Sequence, residues 1–226
     1  MKNSPLGITL LLLLISMSAM GRAQSIADSV LTIPAGVREI PERAYSGRTD
    51  IREVRVEGST LKKIGRSAFE WCQNLKSVSL PAGLDDIASH AFAYCSSLTH
   101  IGIPSSVRHI GSNVFSFCKS LPSITIPAAL RELESYAFSE CSSLHEATLP
   151  ANANLLGEMI FAGCYNLVIL RVPSQEPPPF DCNSQPFDPE EGFMYDKCHL
   201  MVPPQSIGKY QKAQGWSKFR HIEKIP

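Results

Sequence analysis

The stretch SAFEWCQNLKSVSLP, Ser67 to Pro81, is echoed 23 residues later by HAFAYCSSLTHIGIP, His90 to Pro104. Both write Ala-Phe, then Cys, then Leu, and both close on apolar-x-apolar-Pro. At the same period of 23, Phe69, Phe92, Phe115, Phe138 and Phe161 fall in one column without an insertion. Cys72, Cys95, Cys118, Cys141 and Cys164 form a second column, and Leu75, Leu98, Leu121, Leu144 and Leu167 a third. Ile64, Ile87, Ile110, Leu133 and Leu156 form another. Each unit ends at Pro81, Pro104, Pro127, Pro150 or Pro173.

A looser unit precedes these. Ile40, Tyr45, Ile51, Val54 and Val56 match the columns if one residue is added near Ser59-Thr60, and Arg48 stands where the later units have Cys. Leu31, Ile33 and Pro34 read as the tail of a still earlier coil. Within a unit the pattern changes. IGRSAFEWCQNL places Ile64, Ala68, Phe69, Cys72 and Leu75 at helical spacing, predicting about three helical turns. KSVSLP then alternates, with Val78 and Leu80 inward and Ser77 and Ser79 outward, predicting a short strand. Proline ends it, having no N–H to extend a ladder. No such unit buries its own apolar side, so the copies must stack, each covering its neighbour.

Units of the form I-G-x-x-A-F-x-x-C-x-x-L-x-x-I-x-I-P resemble the BspA-like branch of the leucine-rich repeats, found in secreted and surface proteins of bacteria. The resemblance runs from about Leu31 to Pro173, and the tail HLMVPPQSIGKYQKAQGWSKFRHIEKI is similar to the closing segment of such proteins. It implies a right-handed α/β solenoid of about six coils with a parallel sheet on its concave side. A surface-adhesion or host-matrix-binding role is implied with it.

The expected organisation is an export signal at 1–23, a solenoid at 24–173, a Pro-rich connector at 174–196 and a cap at 197–226. The start has Lys2, an apolar run from Leu6 to Met17 and small residues up to Ala23, the plan of a cleaved signal peptide. That run is shorter than the ~20 residues of a spanning helix. No second long apolar run follows, so the mature chain is expected to be exported, without a membrane span, and monomeric. The cap is expected to run strand-helix-strand, and Leu200 to Val202 predicts its first strand. Ser206 is the expected N-cap of a helix carrying Ile207, Tyr210 and Ala213. Trp216, Phe219, Ile222 and Ile225 are expected to cover the last Phe and Leu of the stack.

Lys+Arg and Asp+Glu both number 21 in the 226 residues, which argues against a nucleic-acid partner. The column cysteines show no C-x-x-C pair, so they read as small buried hydrophobes. Cys182 and Cys198 lie outside the repeats, and in an exported chain they are candidates for a disulfide. The six histidines look scattered, and no nucleophile elbow, zincin motif or phosphate loop is present. We therefore expect no enzyme, no metal site and no cofactor. What remains is surface. Outward strand positions form one column of Glu53, Ser77, His100, Ser123, Glu146 and Ile169 and another of Arg55, Ser79, Gly102, Thr125, Thr148 and Arg171. This polar face suits an extended protein or glycan. Trp71, Tyr94 and Phe117 form an aromatic stripe on the convex side, the alternative site, for a glycan.

Overall fold

The computed structural model describes residues 29–180, 187 and 192–226. The segment expected to be an export signal and Cys182 lie outside the described residues, as does part of the connector. With strands numbered along the chain, one parallel series comprises β1 (Val30–Ile33), β3 (Glu53–Val56), β5 (Ser77–Ser79), β7 (His100–Ile101), β9 (Ser123–Thr125), β11 (Glu146–Thr148) and β13 (Ile169–Arg171). A second, shorter series lies between them: β2 (Glu39–Ile40), β4 (Lys63–Ile64), β6 (Asp86–Ile87), β8 (His109–Ile110), β10 (Glu132–Leu133) and β12 (Leu155–Leu156). The two series make two sides of a stacked coil. Neighbours pair in parallel with one-period register, as Glu53↔Ser77, Ser77↔His100 and Ser123↔Glu146 show.

The third side corrects the sequence reading. Residues 66–71 and their equivalents form successive turns, and between 29 and 180 no described residue is helical. Two positions per coil explain why. Ser67, His90, Asn113, Tyr136 and Met159 have positive φ, and so do Trp71, Tyr94, Phe117, Glu140 and Gly163. A left-handed residue flips the direction of the next amide, so the N–H groups alternate. Ala68, Glu70 and Cys72 donate back three residues within the coil, while Ser67, Phe69 and Trp71 donate to Ser89, Ala91 and Ala93 of the next. An α-helix would spend every N–H on itself. Here half of them form a further ladder between coils, which a helical-spacing argument cannot anticipate.

The core is a spine of rings. Tyr45, Phe69, Phe92, Phe115, Phe138 and Phe161 stack with centroids 5.3 to 5.7 Å apart. All five phenylalanines are fully buried, each contributing roughly 1.5–3 kcal/mol by burial. The cysteines have a defined part. Cys72, Cys95, Cys118, Cys141 and Cys164 each donate Sγ–H to the carbonyl of the ring-column residue one coil back, at 3.0 to 3.3 Å. Each column thiol is thus a small buried group that also ties its coil to the one before.

The cap continues the same sheet rather than standing apart. β14 (His199–Val202) pairs in parallel with β13, and β15 (His221–Lys224) with β14. The short helices α1 (Phe193–Lys197) and α2 (Ile207–Tyr210) precede and separate these strands. The ring spine ends on Phe187, a connector residue 6.4 Å from Phe161, and Trp216, Phe219 and Tyr195 pack edge-on against it. The sequence places the covering role on Trp216, Phe219, Ile222 and Ile225; Phe187 escapes the count because it lies 26 residues after Phe161, not 23. Ser206 does not cap α2 with its side chain. Its buried hydroxyl donates instead to Gln175 O at 2.9 Å, tying the cap to the connector. Among the described residues no helix is long and apolar enough to cross a membrane.

Candidate functional site

The register places the outward positions in two columns on the concave face, each in two runs, one along β1 to β7 and one along β9 to β15. One runs Val30, Glu53, Ser77, His100, then Ser123, Glu146, Ile169, His199 and His221. The other contains Arg55 and Ser79, then Thr125, Thr148 and Arg171. Hydroxyls fill the middle. The charges at the ends pair among themselves: Arg55 with Glu53 at 2.5 Å, and Arg171 with Glu146. The face is therefore polar yet locally neutral, with His100 held by Thr99 Oγ1 at 2.8 Å.

The sheet is interrupted in its middle. β1, β3, β5 and β7 form one sheet, and β9, β11, β13, β14 and β15 another. The cause is legible in single residues. Lys76, Thr99, His145 and Val168 each donate a backbone N–H to the preceding coil, and the equivalent residue of the fourth repeat is Pro122, which has none. Gly102 adds to this, because it occupies the outward column without a side chain, and a Cβ built there meets nothing within 4 Å. The result is a notch of about 350 Å³ lined by Ile101, Gly102, Ile103, Ser105, Ser123, Ile124, Thr125 and Pro127. Ile101 belongs to the same inward column as Val54, Val78 and Ile124, yet it alone of these is only half-buried. Sequence reasoning reached Ser123 and Thr125 but missed the notch; Pro122 in a donor column and Gly102 among outward side chains were the signals for it.

The second series breaks at the same level. β2, β4, β6 and β8 form one sheet and β10 and β12 another. Side chains bridge this gap. His109 Nδ1 lies 2.6 Å from Asp86 Oδ1 and Nε2 lies 3.0 Å from Glu134 Oε1, while Glu134 Oε2 accepts from Ser112 N and Oγ. Burial alone would lower the His109 pKa, but its bonds to Asp86 and Glu134 outweigh that and raise it. Burial alone would raise Glu134, but Ser112 and His109 hold it below the ordinary carboxylate value. The turn ladder continues through this level, with Asn113, Phe115 and Phe117 donating to Ser135, Ala137 and Ser139.

The stripe residues Trp71, Tyr94 and Phe117 stack coil upon coil. Trp71 and Tyr94 stack at 3.8 Å, and Tyr94 and Phe117 at 4.6 Å. Trp71 is 44% exposed, and the other two are half-buried. All three hold φ of 60 to 64°, a region in which a bulky residue is strained by roughly 1–3 kcal/mol. The same column uses glycine at its ends, Gly47 and Gly163, where no strain arises.

Cys198 is a free, buried thiol, and its expected partner Cys182 lies outside the described residues. Burial pushes the Cys72 and Cys198 thiols up to about 12 and raises Cys95, Cys118 and Cys141 as well. Thiols held protonated are poor nucleophiles and poor metal ligands.

Coils of one period, two β ladders, one turn ladder and a buried Phe spine define a leucine-rich-repeat solenoid. Residues 23–131 and 62–176 match the model of the BspA type leucine rich repeat region, in six copies, and the chain belongs to that family. A T. pallidum leucine rich repeat protein of known structure is 34% identical over 64% of this chain and 72% of its own, with a TM-score of 0.60. A leucine rich cell surface protein from Faecalibacterium prausnitzii is 26% identical over 79% of this chain and 55% of its own, with a TM-score of 0.61. No curated protein matches the chain at a significant level. Family and fold together make it a repeat-based protein-interaction scaffold.

Proposed function

We propose that the chain is an exported surface protein that binds an extended macromolecule, a protein of the surroundings, through its concave face. The observation that carries this reading is the notch between β7 and β9. It offers apolar contact from Ile101, Ile103, Ile124 and Pro127 in the middle of an otherwise hydroxyl-lined, charge-neutral face. A partner strand or loop laid along the columns finds hydrogen-bonding groups on either side and one place to seat an apolar side chain, the arrangement of a central anchor with a polar rim. The nearness to a leucine rich cell surface protein supports location at the cell surface, and the plan of residues 1–23 supports export. Adhesion is the role this surface serves; binding rather than catalysis is the use of the scaffold.

The test is capture from extracts of host matrix and bacterial surface on the immobilised mature chain. A Cβ at Gly102 meets nothing within 4 Å, so Gly102→Trp starts its side chain from open space beside the notch; the variant should keep the circular dichroism of the wild type and abolish capture. Undiminished capture by this variant rules the face out.

A second reading has its own support. Three bulky rings persist at strained left-handed positions where the column ends use glycine, so the stack has a role that outweighs its cost. Stacked, partly exposed rings suit a sugar face. A glycan array separates the two: binding lost in Trp71→Ala supports the stripe, and a blank array rejects it.

A further inference from the structure

We propose that His199, His221 and Glu223 form a binding site for one divalent transition-metal ion, such as Zn²⁺, Ni²⁺ or Cu²⁺, at the C-terminal end of the concave sheet. The fold brings together what the sequence keeps 22 residues apart: parallel pairing of β14 and β15 sets His199 directly beside His221. Their rings stack at 4.8 Å. Glu223 follows His221 by two residues, so strand alternation puts it on the same face. It reaches across to His199 Nδ1 at 2.8 Å. One ligand atom from each of the three lies within 4.8 Å of the others.

That geometry is close to what a metal requires. Zinc holds imidazole nitrogen at about 2.0–2.1 Å and carboxylate oxygen at about 2.0–2.2 Å. Tetrahedral ligands are then roughly 3.3 Å apart. Rotation of three surface side chains on a fixed sheet closes the difference. A His–Glu ion pair would need only His199 and Glu223. The third donor at the same point is what a cation needs and an ion pair does not. The surroundings do not compete. Ile169 stands in register with His199, and Met201 with Glu223. Arg220, just before β15, is paired with Asp196 at 2.8 Å, and Lys224 falls on the opposite face by alternation.

Two imidazoles and one carboxylate select a borderline cation over Ca²⁺ or Mg²⁺, which take oxygen ligands. Because β15 is the last strand of its sheet, a bound ion keeps positions open to solvent. A carboxylate or imidazole of a partner can complete them. This site is independent of the notch, so either can fail without the other.

Calorimetric titration of the full mature chain, free of any polyhistidine tag, with ZnCl₂ tests the assignment. One saturable site is expected, weakened by at least about tenfold in His199→Ala and in His221→Gln. It should be unchanged in His100→Ala, and CaCl₂ should give no saturable heat. Zn²⁺ should raise the melting temperature of the wild type but not of the double variant His199→Ala/His221→Gln, whose circular dichroism without metal should match the wild type. Absence of saturable Zn²⁺ uptake by the wild type, or uptake undiminished in the folded double variant, overturns it.

Discussion

At the scale of single residues, most of the structure is decided by two side chains per coil. Each ring-column residue fills the interior, and its carbonyl takes both the amide and the thiol of the cysteine column, as Phe69 O does from Cys72 N and Cys95 Sγ. Truncating one ring in the middle of the spine, Phe115→Ala, should cost about 3–5 kcal/mol. Denaturant unfolding checks it, and a loss under about 1 kcal/mol would mean the spine is not the core. The thiols give a second prediction. With burial holding them protonated, the five column cysteines should resist iodoacetamide at mildly alkaline pH in the native chain and all react once it is unfolded. Mass spectrometry reads this directly. These columns are visible in sequence because they recur without insertion. The left-handed backbone at Ser67 and Trp71 is not, because nothing in a serine or tryptophan side chain demands positive φ. Only Gly47 and Gly163 at the ends of one column hint at it.

At the scale of elements, the strand that closes each unit was foreseen, whereas the helix expected before it is a run of turns opened by a short strand such as β4. Alternation in KSVSLP marks a strand unambiguously, whereas apolar spacing in IGRSAFEWCQNL fits a helix and a run of turns equally. The distinction lies in which N–H groups leave the coil, which no periodicity encodes. The interruption between β7 and β9 comes from Pro122 and Gly102, two residues that a search for recurring positions discards as noise. Hydrogen exchange should show the amides facing this gap exchanging at least about tenfold faster than those joining β11 to β13. On the other ladder His109 spans the gap, and its titration has a defined sign. Its folded pKa lies above the ordinary value of 6.5, so the folded state holds the proton more tightly. Its contribution is complete below about pH 6.5 and is lost as pH rises through the folded value. Glu134 acts oppositely: its contribution is present above about pH 4.5 and lost as pH falls through its lowered folded value. Thermal melts should therefore weaken on going from pH 6 to 8 in the wild type. In His109→Gln that slope should flatten; an equal slope in both would remove His109 from the account.

At the scale of the whole molecule, the repeat makes the chain a stack of nearly interchangeable slices, and the columns on its faces follow from stacking alone. The candidate residues on the concave face were legible because one strand register fixes every column at once. The notch and the pairing of His199 with His221 were not. The first needs knowledge of which rung is missing, and the second needs the cap strands to join the same sheet across a connector of irregular length. Slices that depend only on their neighbours can be removed whole. Deleting residues 76–98 takes out one period of 23 and joins Leu75 to Thr99, so that Thr99-His100-Ile101 takes the place of Lys76-Ser77-Val78. Small-angle scattering of this variant is the most direct test of the stacked-coil claim. A folded monomer shorter than the wild type by about one strand spacing, roughly 4.8 Å, is the predicted result. An expanded chain, or one whose length does not change, would contradict it.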